Sequence, residues 1–331
     1  MRNAQPLLTV ENLRVELPTR HGTLVAVDDV SFDIAPGEVL GVVGESGAGK
    51  SLTGAAIIGL LEPPLRIASG HINLGGRRID NLPPERMRQV RGSEIGAIFQ
   101  DPLTSLNPLY TIGHQLIETI RTHLDMNRDD ARLRALSLLK EVGIAAAEER
   151  IAHYPHQFSG GMRQRVVIAL ALAGNPRLII ADEPTTALDV SIQAQIIALL
   201  KRLGRDHGTA IMLVTHDMGV IAETAHRVAV MYAGRIVEIG PVHTVVNRPS
   251  HPYTKGLMAS IPRTVGERTR RLPQIDGAMP RLTAIPTGCP FHPRCHASIS
   301  RCRRERPNLM PAPETEAACW LHAPVLEPAH A

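Results

Sequence analysis

The chain has 331 residues, 44 % hydrophobic and 21 % charged, with a formal net charge of +4. That length accommodates one large domain or two smaller ones with a sizeable core. The mild charge and the 3 % aromatic content argue against a base-stacking surface, so no nucleic-acid partner is expected.

The N-terminus, Met1-Arg2-Asn3-Ala4-Gln5-Pro6, has no apolar signal core, which predicts that the chain stays in the cytoplasm. The longest apolar stretch, Val166 to Ala173, is far shorter than the ~18 residues a bilayer span needs. Any membrane role must therefore be borrowed from partner subunits. Residues from about 7 to 240 read as alternating strands and helices. Val39–Val43, Leu178–Ala181 and Ala210–Val214 are apolar throughout, as expected of strands in a parallel sheet covered on both faces. Each ends in a polar cluster, where ligands sit in such sheets. Residues 112–157 differ: Gln115–His123 and Asp129–Val142 have helical spacing and charged faces, which predicts a helical insertion. After Gly240 the composition changes again. This last part holds 14 of the 26 prolines, so regular structure is expected to be sparse and a domain boundary is placed near 240. No internal repeat is visible.

The first strand runs into Gly44-Glu45-Ser46-Gly47-Ala48-Gly49-Lys50-Ser51, which fits G-x-x-x-x-G-K-[ST]. Glycines let such a loop turn several backbone N–H groups toward phosphate oxygens, and the following helix adds its positive end. Lys50 is placed to reach the β- and γ-phosphates and Ser51 to offer a hydroxyl to Mg²⁺. Asp182 and Glu183 end the Leu178 strand. Asp182 is expected to hold the Mg²⁺ shell, mostly through water, and Glu183 to polarise the attacking water. Both acids would also suit the start of a helix before Pro184. His216, at the end of the third strand, is positioned to bond the γ-phosphate. Ser159-Gly160-Gly161-Met162 opens a second glycine-rich helix start. It reads either as a second anion-binding end serving a neighbouring subunit or as a turn with Ser159 as N-cap.

The order of these motifs resembles an ABC-transporter nucleotide-binding subunit. The matching pieces are the loop at 44–51 (Walker A), Gln100 in Ile98-Phe99-Gln100-Asp101-Pro102, the signature Ser159–Met162, Asp182-Glu183, Ala187-Leu188-Asp189 and His216. The resemblance implies an α/β fold: a P-loop NTPase with a RecA-like core, an antiparallel β edge and a helical subdomain at about 112–172. A small Cys-rich irregular C-terminal region at 241–331 would follow the cassette at 7–240. The segments 101–108, 181–189 and His251-Pro252-Tyr253-Thr254 look like the dipeptide and oligopeptide importer branch, which also takes up nickel, glutathione and other small solutes. The resemblance implies that two ATPase subunits face each other head to tail. Each ATP then lies between one Walker A loop and the other chain's signature loop. It further implies that Gln100 touches Mg²⁺ and water beside the permease-gripping surface. The implied partners are a second, related ATPase, two transmembrane permease subunits and an extracytoplasmic solute-binding protein. The implied location is peripheral, on the cytoplasmic face of the inner membrane. Two departures stand out. The family often stacks adenine on an aromatic residue upstream of the loop, where this chain reads Thr19-Arg20-His21-Gly22; His21 is the expected substitute and Arg20 the second choice, the alternative being that His21 is a solvated loop residue. Met162 replaces the commoner glutamine, a change that occurs within this branch.

All four cysteines lie near the C-terminus, as Cys289, Cys295, Cys302 and Cys319. Their gathering points to one shared metal site, although the spacing matches neither the usual zinc nor the usual ferredoxin pattern. The resemblance implies a [4Fe–4S] tail like that of dipeptide-importer ATPases; zinc, disulfides and free thiols are the alternatives. His292 and His296 are reserve ligands, and Arg301, Arg303, Arg304 and Arg306 read as a solvated face. Two other classes compete with the importer. A soluble ABC ATPase of translation or DNA repair usually has two cassettes or a long coiled coil, and neither is visible. A metal-sensing regulator that uses ATP only for assembly would not need Glu183 and His216.

Overall fold

The computed structural model describes residues 5–186, 188–261 and 274–324. The long N-terminal strands β1 (Leu8–Thr19) and β2 (Gly22–Ile34) pair antiparallel around a tip at Arg20 and His21. The chain then enters β3 (Val39–Val43) and α1 (Lys50–Ile57), and returns through β4 (Arg66–Leu74) and β5 (Arg77–Arg78). Strands β2-β1-β4-β5, in that order, make a four-stranded antiparallel sheet.

After α2 (Pro84–Val90) and β6 (Ile95–Ile98) come five helices: α3 (Pro102–Ser105), α4 (Ile112–His123), α5 (Arg128–Glu141), α6 (Ala147–Arg150) and α7 (Gly160–Leu172). The two helices expected from spacing are α4 and α5. Asn127 starts α5 by accepting bonds from the Asp129 and Asp130 N–H groups, and both acids lie at the helix's positive end. Strand β7 (Leu178–Asp182) follows, then α8 (Val190–His207), β8 (Ala210–Val214), α9 (Met218–Thr224), β9 (Arg227–Tyr232) and β10 (Arg235–Pro241).

The second sheet is parallel along β9-β3-β8-β7-β6, with Val39 opposite Ile211 and Leu178 opposite Ala210. Its strands are buried on both faces, which is why they read as apolar without alternation. Leu40, Val42, Ile180 and Met212 face α1 and the first sheet. Val39, Val43, Ile179 and Leu213 face the core shared with α4, α5, α7 and α8. Truncating the fully buried Leu213 to alanine would cost about 2–5 kcal/mol. Among the described residues no helix is long and apolar enough to cross a membrane.

Beyond Gly240 regular structure is richer than the proline count suggests. It includes α10 (Val242–Asn247), α11 (Pro252–Ala259) and a hairpin of β11 (Met310–Ala312) and β12 (Thr315–Ala317). The prolines sit where they do little harm: Pro252 at the first position of α11, Pro311 on the edge strand. β12 pairs with β10, so the sheet runs across the expected boundary. Glu238 reinforces this seam. Its buried carboxylate accepts bonds from the Ser250 and His251 N–H groups at 2.8 and 2.9 Å and from the Thr315 hydroxyl at 3.3 Å.

Candidate nucleotide-binding and hydrolysis site

β3 delivers the chain into the Gly44–Ser51 loop. Gly44 has φ 154°, and a Cβ there would lie 2.3 Å from the Met231 carbonyl oxygen, so only glycine fits. Gly49 stands at the N-cap of α1 in the left-handed region and offers no side-chain cap. The first N–H groups of α1 therefore remain open to an anion. Lys50 is buried beneath the loop, donating to the carbonyls of Gly44 (2.9 Å) and Glu45 (3.1 Å). Burial lowers its pKa, against the pull of the Glu183, Asp182 and Glu45 charges.

The Ser51 hydroxyl donates to the Asp182 carboxylate at 3.0 Å, across 131 residues of sequence. Burial raises the pKa of Asp182 and the Glu183 charge adds to this, against the Ser51 bond and the Lys50 charge. Glu183, next in the chain, has φ 47°, a left-handed conformation worth roughly 1–2 kcal/mol of strain in a residue with a Cβ. Its N–H is held by the Val214 carbonyl at 2.8 Å. Its Oε2 accepts from the Thr186 hydroxyl at 2.8 Å and from Gln100 Nε2 at 3.2 Å, while its Oε1 lies 3.2 Å from His216 Nδ1. Burial alone would raise the Glu183 pKa. The Thr186 and His216 bonds, with the His216 and Lys50 charges, outweigh it and hold the carboxyl below its ordinary value.

A cleft of about 890 Å³ connects these groups. It is lined by Ser46–Leu52, Gln100, Glu183, Thr186 and His216, together with Ala26 and Met279–Leu282. The structure thus brings the loop, Gln100, Glu183 and His216 to one cavity, with Asp182 bonded to its rim.

Other expected residues lie elsewhere. His21 sits exposed at the β1–β2 tip, its N–H bonded to the Thr19 hydroxyl at 3.2 Å, and does not line the cleft. The two-residue tip points it and Arg20 into solvent, while Ala26, four positions beyond Gly22, faces the cavity. Ser159 caps α7, its hydroxyl accepting from the Met162 N–H at 3.3 Å, and Ser159–Met162 do not line the cleft either. Gly161 packs so tightly on α8 that a Cβ would lie 2.7 Å from Ile192 Cγ2. Asp189 caps α8 by accepting from the Ile192 N–H at 2.9 Å. Its neighbour Ala187 in the same motif lies outside the described residues.

The four cysteines are free thiols, and they are near enough to influence one another. Burial, and then the other three thiols, push Cys289 up to about 11; burial also raises Cys295 and Cys319. The Cys289 N–H donates to the Cys302 carbonyl at 2.8 Å. The donor set suits a thiolate-binding group, yet among the described residues no three His, Cys, Asp or Glu side chains converge in ligating geometry. His292 is engaged with the Cys289 carbonyl at 3.0 Å. Two of the arginines are less solvated than expected. Arg301 stacks on Trp320 at 3.6 Å and pairs with Glu305, and Arg306 pairs with Asp28.

Sequence reasoning missed Thr186, Ala26, the Met279–Leu282 wall and the residues bracing Glu45. Tyr253 accepts a bond from the Glu45 N–H at 3.0 Å, and Arg294 pairs with its carboxylate at 3.1 Å. Tyr253 belongs to the His251–Thr254 run read only as a branch marker. Nothing in the pattern separates Arg294 from the other tail arginines.

Comparison with known proteins agrees with this geometry. The ABC transporter family model matches residues 27–186, and the model for the C-terminal region of oligopeptide/dipeptide transporters matches 237–302. The dipeptide transport ATP-binding protein DppD of Bacillus subtilis is 47 % identical over 96 % of this chain and 95 % of its own. A putative peptide import ATP-binding protein of Brucella abortus is 48 % identical over 92 % of this chain and 94 % of its own. The dimeric ATP-binding cassette MJ0796, solved in a post-hydrolysis state with ADP and Pi, superposes with a TM-score of 0.64 at 30 % identity, covering 71 % of this chain and 98 % of that one. The chain belongs to the ATP-binding subunits of ABC transporters, in the dipeptide and oligopeptide import group.

Proposed function

We propose that this chain binds Mg·ATP in the 890 Å³ cleft, hydrolyses it, and so energises import of dipeptides or oligopeptides through partner permease subunits. The convergence on Glu183 carries the reading. One ionised carboxylate, strained and held by Thr186, Gln100 and His216, sits beside an open phosphate loop. Glu183 accepts the proton of the attacking water as its oxygen bonds to the γ-phosphorus and the bond to the β–γ bridging oxygen breaks. Lys50 leaves the Gly44 and Glu45 carbonyls to meet the phosphates. His216 bonds the γ-phosphate. Ser51, Asp182 and Gln100 would hold Mg²⁺, which when bound neutralises charge on the phosphate oxygens.

Ser159–Met162 and Asp189 serve the ATP of a facing subunit. The position of α7 away from this cleft and the likeness to a dimeric cassette support that role. The facing subunit is a second, related ATPase, giving a heterodimer. Phe99, Leu103, Leu109 and Tyr110, which flank Gln100 along the chain, are 46, 61, 79 and 47 % exposed, and these apolar side chains support docking of one of two permease subunits in this segment. The chain then works at the cytoplasmic face of the membrane, and an extracytoplasmic binding protein delivers the solute. Residues 7–240 form the cassette, and 241–331 form a C-terminal region whose Cys289, Cys295, Cys302 and Cys319, near enough to influence one another, would draw together to hold a [4Fe–4S] cluster. Anaerobic purification tests the cluster: iron and sulfide are expected, and their absence overturns it.

Replacing Glu183 with Gln tests the central claim. ATP binding is expected to survive while hydrolysis falls by about 10²–10⁴-fold. Unchanged hydrolysis would sink the assignment.

A further inference from the structure

Glu45 is an odd residue to find inside a loop that receives a polyphosphate. An uncompensated carboxylate there would repel the ligand. The tail answers this with Arg294, whose side chain is only 8 % exposed. Its Nη1 lies 3.1 and 3.2 Å from the two Glu45 carboxylate oxygens and 3.4 Å from the Tyr232 hydroxyl. Its guanidinium rests against the rings of Tyr232 and Phe291 at 5.8 and 6.0 Å. The remaining donors reach backward along the tail: Nε to the Asp276 carbonyl at 2.7 Å, Nη2 to those of Ile275 and Gly277 at 3.4 Å. Those three residues lead directly into Met279–Leu282, which line the same cleft as the loop. Tyr253, fully buried, steadies the same point by accepting the Glu45 N–H. One side chain from the tail therefore touches the phosphate loop and bonds the segment that leads into the cavity lining.

We propose that Arg294 is a positioning residue for ATP binding, which neutralises Glu45 within the phosphate loop. The proposal rests on the reading of this cleft as the ATP site. It makes the C-terminal region part of the nucleotide site.

The test measures ATP affinity of the full chain by calorimetry for the wild type, R294Q, R294K, E45Q and the double variant E45Q/R294Q, with K50A as control. R294Q leaves the Glu45 carboxylate without a partner inside the phosphate loop, close enough for its charge to be felt at Lys50, and is expected to weaken ATP binding about tenfold. R294K keeps the charge but loses the fork, and is expected to fall between R294Q and the wild type. In E45Q/R294Q the orphaned charge is gone, so affinity is expected to return to within about threefold of the wild type. A merely structural role for Arg294 would not be rescued by a second deletion. The proposal is overturned if R294Q binds ATP like the wild type, or if the double variant binds no better than R294Q. Should R294Q fail to fold by circular dichroism, R294K and the double variant decide the matter by the same criteria: wild-type binding by R294K, or no recovery in the double variant, overturns it. If the wild type does not bind ATP, or K50A binds it equally well, the ATP reading fails instead.

Discussion

Two glycine-rich turns open helices in this chain, and they are finished differently. At α1 the N-cap is Gly49, left-handed and without a side-chain cap, and Lys50 beneath it lies buried on two loop carbonyls. At α7 the N-cap is Ser159, whose hydroxyl already satisfies the Met162 N–H. The first end is left wanting an anion, with Lys50, Asp182 and Glu183 crowded around it. The second has one of its N–H groups satisfied by its own cap and lines no part of that cleft. The first end opens into this chain's own cleft; the second, turned away from that cleft, is placed to meet the nucleotide of a facing chain. Lys50→Ala tests the first half. It should weaken ATP binding by about 100-fold, the loss of roughly 3 kcal/mol of charge-assisted bonding, measured by titration calorimetry. A normal affinity would erase the distinction between the two ends.

Ser159→Ala tests the second half. Loss of the cap costs about 1 kcal/mol of stability, read as a small drop in urea midpoint. Binding of ATP by the isolated chain should stay within about twofold, while hydrolysis by the assembled transporter should fall about tenfold. If the isolated chain lost ATP affinity instead, the signature turn would belong to this chain's own site.

Much of this contrast was legible in the residues. The three apolar runs became β3, β7 and β8 because strands buried on both faces leave no ambiguity of side, and the helices at 115–123 and 129–142 carried their own caps and periodicity. The phosphate loop announced itself because only glycine fits at Gly44. What stayed hidden depends on long-range approach. The expectation for His21 assumed that a position along the chain fixes what faces the cleft, but a hairpin tip turned it away and left Ala26 there. Met279–Leu282 and Arg294 reach the site from more than 200 residues downstream, and no local pattern encodes that return. The continuity of the sheet through β12 was equally unreadable, since a three-residue edge strand carries almost no periodic signal.

The smallest effect is the sharpest test of the idea that the first end is unsatisfied without ligand. The folded-state pKa of Asp182 is raised above its ordinary value, chiefly by burial. At neutral pH the carboxylate is charged in both folded and unfolded chains, so only the folded chain bears the burial penalty. As pH falls through the raised folded-state pKa, the folded chain takes up the proton first and stability rises, until the unfolded carboxyl also protonates below its ordinary value. Asp182→Asn removes the charge while keeping an oxygen for the Ser51 hydroxyl. Without nucleotide the variant should melt about 2 °C higher than the wild type at pH 7, and that advantage should shrink as pH is lowered toward 4. With Mg·ATP present the order should reverse, because the wild type alone gains the full ligand stabilisation. If the variant is not the more stable one at pH 7, or if its advantage does not shrink with acid, the charges around α1 are already at rest and the two helix starts differ only in their caps.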